Sequence, residues 1–377
     1  EDQRTMLALK IKKDDLARGV GQTSAIAEKR SSMPILSNIL MEADGGELKL
    51  TATDMEITFQ GAYPAEVSVP GRLTAPAKKF NEVVRLLNAE EVSLSEADNF
   101  SLNLVAGQFS TQMYGLSPAD FPRMPAVDTM QFVDIEGPAL AGAIDKTIFS
   151  VAMEETRYNL SGIYVEKVEF EGALSLRFVS TDGHRLNMAG FSAPELPNLE
   201  LVRGVLVSKK GMVELKRMAE ASEIVKLGVA QNSLAAKNAS SVLVMRLLDG
   251  RFPDYSLVLP KGNDKIMLAG RKELLEALKR IATMSSDDYK AVKFHLDGGR
   301  LTISSMTPDL GKAEESLAVE YDQAAIESGF NPRFFIEALS ALVSEKVRVS
   351  LSESNTPALL TAAEDPGYTG VIMSMKI

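Results

Sequence analysis

Residues 71–87 read GRLTAPAKKFNEVVRLL, and residues 202–219 read VRGVLVSKKGMVELKRMA. In both, a short extended lead-in runs into paired lysines, and apolar residues then return at helical spacing. Phe80, Val83, Val84 and Leu87 share one helix face. Working outward, GELKLTATDMEI (46–57) matches GALSLRFVSTDGHRL (172–186), and the proline-broken SPADFPRMP (117–125) matches DGRFPDYSLVLP (249–260). A third pass runs from DKIMLAGRKELLEALKRIA (264–282) through GRLTISSMTPD (299–309) and SGFNPRFFIEALSAL (328–342) to the terminal GVIMSMKI (370–377). The period is roughly 130 residues, too long for a solenoid and right for duplicated domains. Each pass uses strand, helix and three strands twice, which is α+β rather than alternating βαβ. The expectation is three tandem copies of a two-helix, two-sheet domain, at residues 1–127, 128–261 and 262–377. Three unrelated α+β domains are the alternative, and the matched helix entries weigh against it.

The bulk numbers agree with a folded, multidomain chain. Of 377 residues, 45% are hydrophobic and 24% charged, an ordinary globular balance. No apolar run approaches the roughly 18 residues that cross a bilayer. The opening EDQRTMLALKIKKDD lacks the apolar core of a signal peptide, and Met6 reads as the natural start after a five-residue extension. With no cysteine, disulfides, thiol nucleophiles, zinc fingers and iron–sulfur clusters are excluded, which fits a cytoplasmic location. Two histidines leave little for a metal site, so neither metal nor cofactor is expected.

The charge is segregated. Helices are expected at residues 12–30, 78–87, 138–157, 209–220, 271–281 and 332–343. They sum to +7 in a chain of net charge −10, so everything else carries −17. Glu forms helices about as well as Lys, so propensity does not explain the sign. Basic helices facing a polyanion, with acidic surfaces elsewhere, do explain it. No base-reading motif accompanies them, so contact with nucleic acid should be to phosphate and indifferent to sequence.

The densest cluster of reactive residue types is STDGHRLNM (180–188). Asp182 and His184 would share one side of a strand, which invites a hydrolase reading, but Asp-Gly also marks a tight turn. No Walker loop, H-E-x-x-H or G-x-S-x-G occurs, and Glu154–Glu155 and Asp287–Asp288 read as solvated faces. A hydrolase using Asp182 and His184, and a monomeric DNA-binding scaffold, stay as rival readings.

PILSNIL (34–40), TATDMEI (51–57), STDGHRL (180–186), DGRFPDY (249–255) and the terminal VIMSMKI (371–377), on three tandem α+β domains, resemble the bacterial DNA polymerase sliding clamps. The resemblance runs from about Met6 to Ile377. It implies a non-enzymatic processivity factor: a head-to-tail homodimer, a ring of six domains with helices inside, and double-stranded DNA threading the hole. It also implies partners that dock short linear peptides, namely the replicative polymerase subunit, the clamp-loader ATPase, repair polymerases and mismatch-repair proteins.

Carried over by motif, the peptide groove comprises Leu160, Thr181, Gly183, His184, Arg185, Leu186, Pro253, Leu257, Val258, Val371, Met373, Ser374, Met375, Lys376 and Ile377. Methionine suits such a groove because its flexible, polarizable side chain repacks around different partners. The family often has Pro and Arg where this chain has Ser374 and Lys376, and Arg where it has Leu257. Lys lacks the planar bidentate fork of Arg, so peptide preference is expected to differ. For DNA, the resemblance points to Arg30, Lys78, Tyr158, Asn159 and Lys210. Glu154 is left out because a carboxylate repels phosphate. The ring-closing edges are expected at QFSTQMYG (108–115) on one side and KAVKFHL (290–296) with AEESLAVEY (313–321) on the other.

Overall fold

The computed structural model describes residues 6–27, 32–153, 157–285, 290–308 and 310–376. The first copy of the repeat contains β1 (Ala8–Lys12), α1 (Lys13–Ile26), β2 (Asn38–Asp44), β3 (Glu47–Thr53) and β4 (Ile57–Pro64). It continues with β5 (Glu66–Val69), β6 (Gly71–Pro76), α2 (Ala77–Leu86), β7 (Glu91–Ala97), β8 (Ser101–Ala106) and β9 (Phe109–Tyr114). The second copy contains β10 (Phe132–Glu136), α3 (Gly137–Ile148), β11 (Gly162–Phe170), β12 (Ala173–Thr181) and β13 (Arg185–Ser192). Then come β14 (Val205–Ser208), α4 (Lys209–Glu220), β15 (Ile224–Ala230), β16 (Ser233–Lys237) and β17 (Ser241–Arg246). The third contains β18 (Lys265–Gly270), α5 (Arg271–Ala282), β19 (Val292–Asp297), β20 (Arg300–Thr307) and β21 (Gly311–Ala318). It ends with β22 (Ile326–Phe330), α6 (Pro332–Ala341), β23 (Lys346–Leu351), β24 (Ala358–Ala362) and β25 (Asp365–Ile372).

Strand order exposes the repetition. Each copy forms one four-strand run of order β6-β2-β3-β4, β14-β11-β12-β13 or β22-β19-β20-β21, and a second of order β1-β7-β8-β9, β10-β15-β16-β17 or β18-β23-β24-β25. Strand β5 is an addition to the expected layout, pairing with β1 at the sheet edge. Two of the runs fuse across copies. Strand β4 pairs with β17, and β13 pairs with β25, all antiparallel, to make two eight-stranded sheets. The chain accordingly divides into two compact units, Glu1–Asp134 with Ile224–Arg246, and Ile135–Glu223 with Leu247–Ile377.

In the first unit, α1 buries Leu16, Val20 and Ile26, and packs on β3, β4 and α2. Gly19 is required there, because a Cβ would lie 2.6 Å from the Tyr63 ring. Helix α2 buries Phe80 and Val84, two members of the predicted face. In the second unit, α3 packs on α4 and β13, while Phe294, Phe330 and Phe335 form an aromatic cluster with centroids 5.2–5.4 Å apart under α6. Edge-to-face and tilted contacts of this kind add to what burial alone contributes.

Two helices are shorter than the sequence pattern implies. Helix α1 ends at Ile26, and the remainder of its expected span falls partly on residues 28–31, outside the described residues. Helix α3 ends at Ile148 because its last turn is claimed by side chains: both Ser150 Oγ and Ser180 Oγ donate to the Thr147 carbonyl. Among the described residues, no helix is long and apolar enough to cross a membrane.

Candidate binding groove and basic helix faces

The second unit holds a cavity of about 160 Å³ where β13 meets β25. The register Leu186↔Val371 sets its floor, and behind it lies a buried cluster of Val179, Leu186, Leu206, Phe252 and Val371. Leu160, Thr181, Gly183, Arg185, Leu186, Pro253, Val258, Val371 and Met373 line it, all of them expected groove residues. Asp254 and Tyr255 also line it. Sequence reasoning missed both, although they sit inside the DGRFPDY motif beside Pro253.

The other expected groove residues are placed outside that wall. His184 is exposed, and its carbonyl accepts the Met373 N–H at 3.0 Å. Leu257 is 81% exposed at the end of a single 3-10 turn. Lys376 is exposed and Ser374 half-buried. Met375 donates its N–H to Gly329 O at 2.8 Å and so caps the β22 edge. Ile377 lies outside the described residues. The methionines of the terminal segment therefore split their work. Met373 faces the cavity, whereas Met375 seals its own copy's sheet, as Leu248 does by donating to Leu206 O in the second copy.

The STDGHR stretch is a turn held by its own side chains. Thr181 Oγ1 donates to Arg185 O and accepts the Gly183 N–H; Asp182 Oδ1 accepts the His184 and Arg185 N–H groups. Gly183 sits at φ +88°, a conformation that favours glycine. The remaining Asp182 oxygen accepts from Arg185 Nε at 3.0 Å. Asp182 is thus committed to backbone N–H groups and to Arg185 rather than to the His184 ring. The first copy builds the same turn without a histidine: Thr53 Oγ1 donates to Ile57 O, and Asp54 accepts from Glu56 and Ile57 N–H. A turn that recurs without its histidine is a scaffold, which removes the basis of the hydrolase reading.

Arg185 is the most heavily engaged side chain of the site. It bonds Asp182, Glu337 of α6 and the Phe149 carbonyl, and lies 4.6 Å and 5.3 Å from the ring centroids of Phe334 and Phe149. Only 7% of it is exposed, a burial that a guanidinium tolerates because its donors are satisfied.

Of the candidate phosphate contacts, Tyr158 and Asn159 share one exposed 3-10 turn, immediately before the groove residue Leu160. Lys78 is exposed on α2 and Lys210 on α4. Arg30 lies outside the described residues. Within their observed bounds α2, α4 and α5 each keep a net +2, and α1, α3 and α6 are neutral. Several of these cations are already paired: Lys79 with Glu82, Arg217 with Glu214, Lys279 with Glu276 and Arg280 with Glu315. Lys78, Arg85 and Lys272 carry no ion pair among the described residues, so pattern reading missed Arg85 and Lys272 as equally available charges. Among the described residues no cluster of three acidic or histidine side chains could hold a metal ion.

Of the strands equivalent to those joined at the β4–β17 and β13–β25 junctions, two lie at the ends of their sheets among the described residues. Strand β9 is the last of the five-stranded sheet, and β21 the last of the four-stranded one. Residues 290–296, expected at an edge, instead supply β19, which lies between β20 and β22 with Val292, Phe294 and Leu296 buried. Beside β9, Leu86 and Phe109 border an apolar hollow of about 490 Å³ that also takes in Val83 and Leu87.

Models of the N-terminal, central and C-terminal domains of the DNA polymerase III beta subunit match residues 7–125, 134–254 and 256–376 in turn. A beta sliding clamp of Caulobacter vibrioides is 34% identical over 374 residues, spanning 98% of this chain and all of the relative. That of Escherichia coli K12 is 30% identical over 370 residues, spanning 97% and 99%. A crystal structure of the C. crescentus beta sliding clamp with polyethylene glycol bound superposes with a TM-score of 0.93 at 34% identity, covering 99% of this chain and 100% of that one. A Bartonella birtlesii sliding clamp bound to griselimycin gives a TM-score of 0.92 at 30% identity, with coverage of 99% and 100%.

Proposed function

As this chain belongs to the DNA polymerase III beta-subunit family, the beta sliding clamps, we propose that two copies join head to tail into a ring of six domains through which duplex DNA threads. In this reading the protein is a cytoplasmic processivity factor with no catalytic role of its own, built of clamp domains at residues 1–127, 128–261 and 262–377. It slides without sequence preference and tethers the replicative polymerase, its clamp-loader ATPase, repair polymerases and mismatch-repair proteins through short peptides.

The observation that carries the reading is the set of strand edges. Strands β4, β13 and β21 hold one position in the repeat, and β17, β25 and β9 hold the other. Each of the first two pairs with a strand of the second type, leaving one β21 and one β9 unmatched. A second copy supplies the missing partner for each, in the register the chain already uses twice. Exposed Leu86 and Phe109 beside β9 favour the same closure, since an unpaired edge with apolar neighbours invites association. The −17 charge outside the expected helices, against basic α2, α4 and α5, supports phosphate contact from the helices, with Arg30, Lys78, Tyr158, Asn159 and Lys210 as the contacts. Peptides occupy the β13–β25 groove, with Leu257 and the terminal Ser374, Met375, Lys376 and Ile377 bordering it. Micromolar binding, about −8 kcal/mol, is expected, mostly from one or two anchors.

Light scattering should return twice 40.8 kDa. Protein loaded on a nicked circular plasmid should survive high salt and be lost after one linearising cut. Retention on the linear molecule would mean ordinary contact binding and would end the ring reading. Lys78→Ala with Lys210→Ala should lower the salt dependence of loading by about one to two phosphate contacts.

A further inference from the structure

We propose that the Tyr255 hydroxyl, held between Glu166 and Arg177, fixes one wall of the groove and makes Tyr255 a positioning residue for peptide capture. The inference rests on the groove reading above and adds a part to it. Tyr255 lines the cavity, and its hydroxyl reaches the eight-stranded sheet whose β13–β25 junction floors it. There it donates to Glu166 Oε1 and accepts from Arg177 Nη1 at 3.2 Å. Glu166 on β11 and Arg177 on β12 are direct cross-strand partners, so the two grips come from one rigid pair. Burial and the Glu166 bond push the Tyr255 hydroxyl up to about 12, which keeps it a proton donor across the working pH range.

The wall is anchored a second time. Phe252, three residues earlier, stacks on Tyr164 at 4.9 Å with nearly parallel planes. Pro253 and Asp254, both facing the cavity, are therefore stretched between two fixed points. Beyond Tyr255 comes a single turn, closed by Asp254 accepting from Ser256 N–H and Oγ, before Leu259 packs on the buried cluster behind the cavity. Leu257 is exposed and adds no anchor. Without the Tyr255 grip, Pro253–Val258 would be held only at its two ends, by Phe252 and Leu259, and the incoming peptide would have to order the span between, a cost that pre-organisation avoids.

The first copy supplies an internal control. Its counterpart loop carries Phe121 and Pro122 where the second has Phe252 and Pro253, and Met124 where the second has Tyr255. Met124 packs against the apolar cluster of Val127, Ala235 and Val244 and has no hydroxyl to be gripped. The polar tether occurs in the copy that has the open cavity.

The test uses the full chain and a fluorescein-labelled synthetic peptide carrying the clamp-binding segment of the cognate replicative polymerase. Tyr255→Phe keeps the ring on the cavity and removes only the hydroxyl. It should weaken binding about tenfold, chiefly through a slower association rate, with melting temperature little changed. Glu166→Ala with Arg177→Ala should weaken binding similarly, and adding Tyr255→Phe to that pair should cost nothing more, the signature of one shared interaction. Wild-type affinity in Tyr255→Phe, or an undiminished tenfold loss in the Glu166/Arg177 background, would overturn the proposal. Met373→Ala is the control for the groove itself: if it too binds like wild type, the groove reading fails rather than the tether.

Discussion

The junctions β13–β25 and β4–β17 are the same construction, and the cavity of about 160 Å³ lies at the first. Their hydrogen bonds superpose: Met373 N–H donates to His184 O at 3.0 Å, and Arg246 N–H donates to Glu56 O at 2.7 Å. The side chains do not. Gly183 becomes Met55, which is 55% exposed at φ +73°; Met373 becomes Arg246; Arg185 becomes the buried Ile57. Leu160 is half-buried against its cavity, but its counterpart Leu36 is only 3% exposed, packed with Ile35, Leu40 and Phe121. A backbone that makes a groove possible therefore does not make a groove. Several side chains differ together: a glycine that leaves the turn bare, an apolar residue just past the strand end, a half-buried Leu160 and the tethered Tyr255.

Transplanting the first junction's residues onto the second should have the largest effect. Gly183→Met with Met373→Arg places a side chain over the cavity and a charge at its wall. A Cβ on Gly183 would sit 2.9 Å from Arg157 Nη1, so the change also disturbs the Arg157–Asp182 carbonyl bond. Peptide affinity should fall about 100-fold, roughly 2.7 kcal/mol, with the oligomer mass unchanged in light scattering. Binding within a few-fold of wild type would show that these positions do not distinguish the junctions.

The next test separates the locks. Arg185 ties the turn to α6 through Glu337, whereas Ile57 contributes apolar packing alone. Arg185→Met leaves the Phe149 carbonyl without this donor and Glu337 with Arg333 alone, at 3.3 Å. Because the Glu337 side chain is 27% exposed, the loss should be about 2 kcal/mol, below the 3–5 of a fully buried pair. Ile57→Val removes one methylene and should cost about 1 kcal/mol. Chemical denaturation of both variants checks the order, and a larger loss for Ile57→Val would reverse the assignment of the stronger lock.

Much of this contrast was legible in the sequence. The paired helix entries at 71–87 and 202–219 located the duplication, and STDGHR, DGRFPDY and the terminal strand brought most of the cavity wall together by motif. What stayed hidden depends on contacts distant in the chain. Nothing around Tyr255 announces that its hydroxyl meets Glu166, 89 residues away. Val371, Met373, Met375 and Ile377 alternate with Ile372, Ser374 and Lys376, a strand pattern, but β25 ends at Ile372, after which the Met373 and Met375 N–H groups serve different sheets. Likewise KAVKFHL had the charge of an edge strand, and only strand order shows β19 flanked on both sides.

The smallest effect belongs to the reverse transplant, Met55→Gly with Arg246→Met. Glycine relieves the positive φ at position 55, worth about 1 kcal/mol. It also adds freedom to the unfolded chain, which costs about the same. Stability should therefore change by less than about 0.5 kcal/mol. The junction would then share with the groove its glycine, its methionine and its backbone. It would still lack a tethered wall, because Met124 replaces Tyr255, and its Leu36 would remain buried. Fluorescence titration with a labelled polymerase peptide, on a chain whose own groove is closed by Gly183→Met and Met373→Arg, should detect no new site. Appearance of even millimolar binding there would mean that glycine and methionine suffice, and the anchored loop would lose its place among the causes of the groove.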